Sequence, residues 1–242
     1  GVWAMATQRP AQLIRGLSAR PWHDAGAVAA CVALEEAYPM IRAEALALLS
    51  HDREMAQGGH PLWSHFRSYG SKALSCGDWA DVGLYFNGMR NAANAERAPR
   101  TSRLLSSHVG GLRRDATSCP LGSAYFSLLR PHTRLASHCG PTNARLRAHL
   151  PLVVPEGDCE ITVGGEARKW QEGKVLLFDD SFEHAAHNET AHPRLVLIVD
   201  LWHPQLSDDA AREAVLGDEG HVVRYREVVR EGRYETTTRR GH

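Results

Sequence analysis

From Ser123 onward the chain reads as a series of short β-strands separated by turn residues, and this pattern restricts the fold more than any other feature. Gly164-Gly165 and Glu172-Gly173 fit tight turns between successive strands. Short strands at this spacing favour an antiparallel sandwich or barrel over a sheet built from β-α-β units. The predicted strands are Ser123–Arg130, Leu146–Val154, Cys159–Val163, Lys174–Phe178 and Arg194–Trp202.

Helical signals dominate the region before these strands. Between positions 24 and 49, apolar residues recur every three or four positions, and Pro39 is expected to divide the stretch into two helices. Asp78–Phe86 is a predicted strand that ends in an Asn87-Gly88 turn. Further short helices are predicted over 91–97, 99–105 and 207–217.

The domain organisation follows from these patterns and from the chain length of 242 residues. We expect a flexible N-terminal segment over 1–22, with Pro10 and Pro21 as interruptions, and a flexible tail over 231–242. A single domain is predicted over 23–230, because no linker or internal repeat divides it. It consists of a helical part to about position 120, a β-strand core over 121–204 and a C-terminal helix.

Composition excludes several classes of protein. The 28 basic and 28 acidic residues cancel, so the net charge gives no basis for capture of nucleic acid. No apolar run reaches the length of a membrane span, and the N-terminus lacks the pattern of a secretory signal, so we expect a soluble, cytoplasmic chain. The five cysteines form no CxxC pair, which argues against a disulfide framework or a structural zinc site.

Two histidines stand in settings that favour metal binding. His138 precedes a Gly-Pro turn, and His184 follows the acidic loop 179–183. Either histidine alone is typical of a core or surface position. The pair, with strands between and an arginine after it, has the order of a mononuclear Fe(II)/2-oxoglutarate site. Most such sites add a carboxylate two residues after the first histidine, and here that position is Gly140. The other histidines without this setting are interpreted as structural or exposed: His108, His132, His187, His192 and His203.

The acidic loop before His184 leaves several interpretations open. Asp179, Asp180 or Glu183 could ligate iron in place of the missing carboxylate, or could orient a ligand histidine or a bound water. The loop could also be a simple Asx turn. Cys139 is not expected to be a ligand, because in an extended segment its side chain points away from that of His138.

The segment from Arg145 to Leu150 alternates strictly between charged and apolar residues. As a strand it places Arg145, Arg147 and His149 on one face and the three apolar residues on the other. A solvated outer face is the ordinary interpretation of such residues. Their position just past His138 favours the alternative that they line a barrel interior and hold a dicarboxylate.

Arg194 opens the last apolar strand and shares its face with Val196 and Ile198. A guanidinium on an apolar face is expected to need an anionic partner. Ser127, in a neighbouring predicted strand, could add a hydroxyl donor to the same anion.

Several motifs together resemble those of the aspartyl/asparaginyl β-hydroxylases. The three most specific runs are His138–Leu150, Trp170–His184 and Val199–Pro204, and the upstream runs are Gly77–Trp79, Arg90–Ala95 and Ala98–Thr101. The resemblance covers most of the chain from about Leu34 to Pro204. It implies a mainly β fold with flanking helices, a double-stranded β-helix of the jelly-roll or cupin type.

The resemblance also implies roles for individual residues. His138 and His184 would hold Fe(II) without a protein carboxylate, so that Gly140 is expected at its position. The 2-oxoglutarate site would consist of Ser127, Arg147, His149 and Arg194. Arg145 would face the carboxyl group of the substrate, and Asp180 would support the water on the metal. The position of Arg145 close to the Gly140-Pro141 turn separately predicts that it lies near the mouth of the barrel.

One departure from the family pattern concerns cysteines. The vertebrate type carries a cysteine pair whose positions correspond to Ser102 and Cys119 here, so no such disulfide is expected. The repeat region and membrane anchor of the large animal enzymes are also missing from this sequence. Both departures weaken the expectation of an endoplasmic-reticulum setting and of protein substrates.

These features predict a dioxygenase that hydroxylates the β-carbon of aspartyl or asparaginyl residues in a peptide or protein. Two alternatives stay open. The first is a related hydroxylase of a free or carrier-bound amino acid or of a lipid acyl chain. The second is a non-catalytic binding module on the same fold. The expected partners are the substrate, Fe(II) and 2-oxoglutarate, with no nucleic acid and no membrane segment.

Overall fold

Two antiparallel sheets face each other in the computed structural model, which describes residues 7–55, 63–65 and 73–216. Within these residues the strands are β1 Trp22–His23, β2 Ser64–His65, β3 Leu74–Cys76, β4 Trp79–Phe86, β5 Met89–Arg90, β6 Ser123–Leu129, β7 Thr133–His138, β8 Arg145–Val153, β9 Cys159–Val163, β10 Glu166–Lys169, β11 Leu176–Phe178, β12 His184–Asn188 and β13 Arg194–Trp202.

The connectivity of strands β6 to β13 defines the fold. The larger sheet has the order β1-β11-β8-β13-β6-β4-β2, with β5 paired to β4, and the smaller has the order β10-β9-β12-β7-β3. Strands β6, β8, β11 and β13 therefore lie in one sheet, and β7, β9, β10 and β12 lie in the other. A chain that passes between two facing antiparallel sheets in this way forms a double-stranded β-helix, so the predicted fold is confirmed.

Alternation along the strands of the larger sheet separates an apolar outer layer from an interior in which a second apolar cluster surrounds a few charged residues. The apolar residues of β8, Leu146, Ala148 and Leu150, are buried in the main core cluster with Leu197 and Val199 of β13. The opposite face of each strand points toward the second sheet. That interior face carries the charged residues of β8.

Helices flank the larger sheet. They are α1 Ala29–Glu36, α2 Tyr38–Met55, α3 Ala92–Arg97, α4 Pro99–Leu105 and α5 Asp209–Leu216. The last of them packs through Val215 in a separate cluster with Trp202 and Leu206. Leu34, Ile41 and Leu105 are fully buried against this sheet, and each such leucine or isoleucine stabilises the packing by roughly 1.5–3 kcal/mol. The break between α1 and α2 falls at Ala37, two residues before Pro39, as predicted.

Most predicted strands are present, but two important ones were missed. Cys159–Val163 and Arg194–Trp202 agree with the prediction residue by residue, whereas the strand predicted over 174–178 begins at Leu176 because Gln171–Lys174 forms the turn. Strands β7 and β12 were not predicted. Their only apolar residues are Leu135 and alanines, so they lack the strong alternation of a half-buried strand.

The described part of the N-terminal segment lies against the domain. Residues 7–22 contain almost no regular structure, but the main chain bonds to distant loops: Arg9 N donates to Ser181 O at 3.1 Å and Gln12 N donates to Pro141 O at 2.8 Å. Gln8 is buried. Hydrogen bonds therefore connect residues 7–22 to the rest of the domain, and the flexibility of residues 1–22 stays a prediction.

Other expectations concern the ends of the domain and its covalent links. The predicted tail over 231–242 and the last residues of the predicted domain, 217–230, lie outside the described residues. All five cysteines are free. Within 7–55, 63–65 and 73–216, no helix combines the length and the apolar character needed to cross a bilayer.

Candidate active site

His138 and His184 meet at the ends of two paired strands of the smaller sheet. His138 is the last residue of β7 and His184 is the first of β12, and the two are direct partners in the antiparallel register. Their ring centroids lie 4.2 Å apart. The structure therefore brings together the two histidines that the sequence singled out.

Backbone carbonyl groups fix the tautomers of this histidine pair. Nδ1 of His138 lies 2.8 Å from the carbonyl oxygen of Ala136, and Nδ1 of His184 lies 2.9 Å from that of Phe182. A carbonyl only accepts, so Nδ1 carries the proton and Nε2 presents a lone pair. Burial lowers the pKa of both imidazoles, that of His184 to about 3, so both rings are neutral at pH 7.

Gly140 is required by the position of the Asp180 carboxyl group. A Cβ atom at position 140 would lie 2.4 Å from Cγ of Asp180, and 2.5 and 2.7 Å from its two oxygens. The main chain is equally close, since Gly140 N donates to Asp180 O at 2.5 Å. The carboxyl group of Asp180 therefore occupies the space that a side chain at position 140 would need.

Asp180 belongs to a buried network of two arginines and two aspartates. Its Oδ2 lies 2.8 Å from Nη2 of Arg145 and 3.2 Å from Nη1 of Arg147. Arg147 also binds Asp200 through Nε at 2.8 Å and Nη2 at 3.1 Å, and Arg145 Nη1 lies 2.9 Å from Asp200. The charges balance, which a buried ionic group requires.

The electrostatics of the network keep Asp180 ionised. Burial alone would raise the pKa of Asp180, but the guanidinium groups of Arg145 and Arg147 hold that pKa well below its usual value. Oδ1 of Asp180 is buried and has no hydrogen-bond partner. One oxygen of this carboxylate is thus held by cations, and the other is left to accept a hydrogen bond.

Arg145 does not lie where the sequence analysis placed it. We expected it near the barrel mouth, facing the substrate, but it is only 1% exposed. Its guanidinium donates to the carbonyl of Leu121 in addition to contacting Asp180 and Asp200. The expected place near the mouth is therefore wrong, because alternation fixes the face of a strand residue and not its depth or its partners. Contact between Arg145 and the carboxyl group of the substrate stays a prediction.

Arg194 is a buried cation without a carboxylate partner among the described residues. It is 2% exposed, and its Nε has no hydrogen-bond partner. Its guanidinium carbon lies 4.7 Å from the ring centroid of Trp170, and Nη1 lies 3.5 Å from the carbonyl of Ser127. Burial lowers the pKa of Arg194 to about 10. A buried guanidinium without a counter-charge is the kind of group that an anionic ligand would stabilise.

His149 offers a second unsatisfied group to the same interior. Nε1 of Trp170 donates to Nδ1 of His149 at 3.3 Å, and an indole nitrogen can only donate. The proton of the neutral imidazole is therefore on Nε2, which is buried and has no partner. Burial, together with Arg194, holds the pKa of His149 well below its usual value, so the ring is a neutral donor.

A continuous row of rings connects the histidine pair to Arg194. The ring of His184 lies 5.8 Å from that of Phe178, Phe178 lies 4.9 Å from His149, and His149 stacks on Trp170 at 6.2 Å. Trp170 in turn contacts Arg194. The interior therefore has two imidazoles at one end, an unpaired guanidinium at the other and an unpaired N–H donor between them.

Ser127 lies on the interior face of β6. Its Oγ accepts a hydrogen bond from Nε1 of Trp79 at 3.0 Å, so the hydroxyl hydrogen is left for another acceptor. Its carbonyl approaches Arg194. The guanidinium of Arg147, by contrast, already binds Asp180 and Asp200. Arg147 therefore holds these two carboxylates in place, whether or not it also contacts a ligand.

The remaining acidic residues of the loop have partners of their own. Asp179 forms the Asx turn, since its Oδ1 accepts from the backbone N–H of Ser181 at 2.9 Å. Glu183 pairs with Arg9 at 3.1 Å near the surface. Within the described residues, no third histidine, cysteine, aspartate or glutamate joins the histidine pair to form a metal-binding group.

The histidines that we interpreted as structural or exposed have such positions. His203 is buried with its ring 5.8 Å from that of His23, and His187 pairs with Asp158 at 2.7 Å. His132 adopts a positive φ of 56° in a turn. None of these contacts reaches the interior row of rings.

Sequence reasoning missed Asp200, which balances both arginines of β8. Its register partner in the neighbouring strand is Arg147. A usable signal existed, because Asp200 is the one acidic residue in the otherwise apolar run from Leu195 to Trp202. An isolated charge inside a buried strand usually pairs with a charge on the adjacent strand.

The sequence is similar to known proteins of one family. The family model described as aspartyl/asparaginyl beta-hydroxylase matches residues 35–204. The aspartyl/asparaginyl beta-hydroxylase of Homo sapiens is 35% identical over 215 residues, which is 88% of this chain and 26% of that protein. Aspartate beta-hydroxylase domain-containing protein 2 of Homo sapiens is 45% identical over 142 residues, which is 57% of this chain and 37% of that protein.

The chain corresponds to only part of the length of these relatives. The chain spans 26% of the length of the first and 37% of the second. Among solved structures, a protein with a double-stranded beta-helix domain from Klebsiella pneumoniae covers 34% of this chain at 17% identity and a TM-score of 0.28.

Proposed function

Because the chain belongs to the aspartyl/asparaginyl β-hydroxylase family, we propose that it is an Fe(II)/2-oxoglutarate-dependent dioxygenase that hydroxylates the β-carbon of an aspartyl or asparaginyl group. The observation that carries this proposal is the interior row of rings, which has neutral imidazoles at one end and an unpaired buried guanidinium at the other.

The residues present fit an iron ion with two protein ligands. His138 and His184 offer neutral Nε2 atoms from adjacent strands, and no carboxylate can enter from position 140 because Asp180 fills that space. A site with two protein ligands leaves several coordination positions for the cosubstrate and for oxygen. When bound, iron and 2-oxoglutarate would supply the oxidising chemistry, and the protein supplies binding, orientation and charge.

The residues also fit an elongated dicarboxylate. Arg194, with the Ser127 hydroxyl, would hold the carboxylate farthest from the metal, and its own burial favours a bound anion. The Nε2–H of His149 would donate to the carboxylate nearer the metal, with Arg147 beside it as a further positive charge. The proposed cosubstrate site therefore consists of the four residues expected from the sequence, namely Ser127, Arg147, His149 and Arg194.

Asp180 would act on water rather than on the metal directly. Its Oδ2 is held by Arg145 and Arg147, so the carboxylate cannot rotate freely, and Oδ1 is left as an acceptor beside the histidine pair. A water molecule bound at the open position would donate to Oδ1. Arg145 would contribute by fixing Asp180.

The substrate assignment is tested by product analysis. Purified chain with Fe(II), 2-oxoglutarate and oxygen should release succinate, and an aspartyl or asparaginyl peptide should gain the mass of one oxygen atom at the β-carbon. His138→Ala should do neither. Oxidation of a free amino acid or an acyl chain alone would identify the related hydroxylase instead. Tight 2-oxoglutarate binding without succinate release would identify a binding module.

A further inference from the structure

The N-terminal strap, defined as residues 7–22, crosses both loops that adjoin the histidine pair. The first loop, 139–144, follows His138, and the second loop, 179–183, precedes His184. These loops are joined directly by the hydrogen bond from Gly140 N to Asp180 O. A segment that binds both loops can therefore fix the distance between the two loops and the positions of the residues that they carry.

The strap holds the first loop through main-chain and amide contacts. Gln12 forms an isolated parallel bridge with Thr142 and donates from its N to Pro141 O at 2.8 Å. Asn143 accepts from Ile14 N at 2.7 Å and donates from Nδ2 to Ile14 O at 3.0 Å. This reciprocal pair fixes the loop as a short strand pairing would.

The strap holds the second loop through Gln8 and its neighbours. Gln8 forms an antiparallel bridge with Phe182, Arg9 N donates to Ser181 O at 3.1 Å, and Glu183 N donates to Thr7 O at 2.5 Å. Every residue from 181 to 183 therefore contacts the strap. The flanking residues of this loop, Asp180 and His184, are both part of the proposed site.

The side chain of Gln8 is the buried centre of this contact. It is 1% exposed, and Nε2 donates to Oδ2 of Asp179 at 3.2 Å and to Oγ of Ser181 at 3.0 Å. Ser181 N in turn donates to the other oxygen of Asp179 at 2.9 Å. One amide group thus connects Asp179 and Ser181, the two residues that flank Asp180.

We propose that Gln8 is a positioning residue, which fixes the loop 179–183 so that the Asp180 carboxylate and the His184 imidazole stand together at the metal. The proposal rests on the proposed function. It gives the strap a role in building the site, although the strap lies more than a hundred positions away from it in sequence.

The physical reason is that Asp179 is buried and depends on its donors. Burial raises the pKa of Asp179 to about 7, and the hydrogen bonds from Ser181 and Gln8 act in the opposite direction. Without the Gln8 amide, the carboxylate loses a donor and the loop can rearrange to reach water. Any such movement carries Asp180 and His184 with it, because they are its chain neighbours.

The test uses Gln8→Met, which keeps the buried volume and removes the amide, and Gln8→Ala as a second variant. Arg9→Ala is the matched control, since it removes an exposed ion pair to the same loop. The probe is Co(II), added to the full chain without oxygen, with the visible spectrum and the affinity as readouts. Thermal unfolding is measured in parallel to follow stability.

Loss of a residue that supports a metal ligand typically weakens metal binding by about 10- to 100-fold. We expect Gln8→Met to weaken Co(II) binding within that range and to change the spectrum, while Arg9→Ala stays within about twofold of wild type. If Gln8→Ala fails to fold, Gln8→Met decides. Wild-type affinity and spectrum in Gln8→Met would overturn the role of Gln8 alone. Failure of the wild-type chain to bind Co(II) would overturn the proposed function as well.

Discussion

Replacing Gly140 with alanine tests whether Asp180 has taken the place of a third protein ligand. The alanine Cβ would lie 2.4 Å from Cγ of Asp180, a distance well below ordinary van der Waals contact. Asp180 can retreat only by lengthening its contacts to Arg145 and Arg147, at 2.8 and 3.2 Å. The added methyl group therefore acts on the ionic network and not on a flexible surface side chain.

The magnitude follows from these two effects. Overpacking a buried site costs about 1–3 kcal/mol, and breaking a buried ion pair costs about 3–5 kcal/mol. Because Asp180 can shift without leaving both arginines, we expect Gly140→Ala to lower the free energy of unfolding by roughly 3 kcal/mol. An aspartate at position 140 should be at least as damaging, since it adds a second carboxylate beside the first.

The assay is a double-mutant cycle read by urea unfolding. Gly140→Ala is measured alone and in an Asp180→Ala background, where the crowded atoms are absent. We expect most of its cost to disappear in that background. Gly83→Ala is the matched control, because no atom lies within 4 Å of a Cβ there and the backbone angle is ordinary. It should be neutral or stabilising by up to about 1 kcal/mol.

Two results would refute this reasoning. An equal cost of Gly140→Ala in both backgrounds would mean that something other than the Asp180 carboxyl group excludes the side chain. An unchanged stability in the wild-type background would mean that the two loops separate at no cost.

Three further outcomes follow from the same site. Arg194→Met should raise the melting temperature of the ligand-free protein, because a buried unpaired guanidinium is removed. The same variant should weaken 2-oxoglutarate binding in calorimetry by at least about 100-fold, and unchanged binding would place the anion site elsewhere. Asp200→Asn should destabilise the chain in urea unfolding by about 3–5 kcal/mol, because Arg145 and Arg147 lose a shared counter-charge; a neutral effect would contradict the network. Burial and the neighbouring His23 lower the pKa of His203 from 6.5 to about 4, so between these pH values the unfolded chain binds more protons than the folded one, and the free energy of unfolding should fall as the pH drops from about 6.5 to about 4. His203→Gln should make this pH dependence shallower, and an unchanged pH dependence would show that His203 does not cause it.

Local patterns predicted the parts of the site that depend on a single strand. Strict alternation placed Arg147 and His149 on the interior face of β8, and the same rule placed Arg194 beside Val196 on β13. These predictions succeed because side-chain direction in a strand depends only on its immediate neighbours.

Partners across the fold could not be predicted in this way. Asp180 and Asp200 are 35 and 53 positions away from the arginines they bind, and alternation gives no information about which charge faces which. Arg145 was therefore expected at the mouth although it is buried. The N-terminal strap carries no periodic signal, because its structure consists of single hydrogen bonds to loops distant in sequence.

The decisive measurement is a crystal structure of the chain with Fe(II) and 2-oxoglutarate, grown without oxygen and recorded at the iron absorption edge. We expect one anomalous peak, bound by Nε2 of His138 and Nε2 of His184, with no protein carboxylate. The far carboxylate of 2-oxoglutarate should lie on Arg194. Iron bound directly by Asp180, or a dicarboxylate away from Arg194, would contradict this expectation.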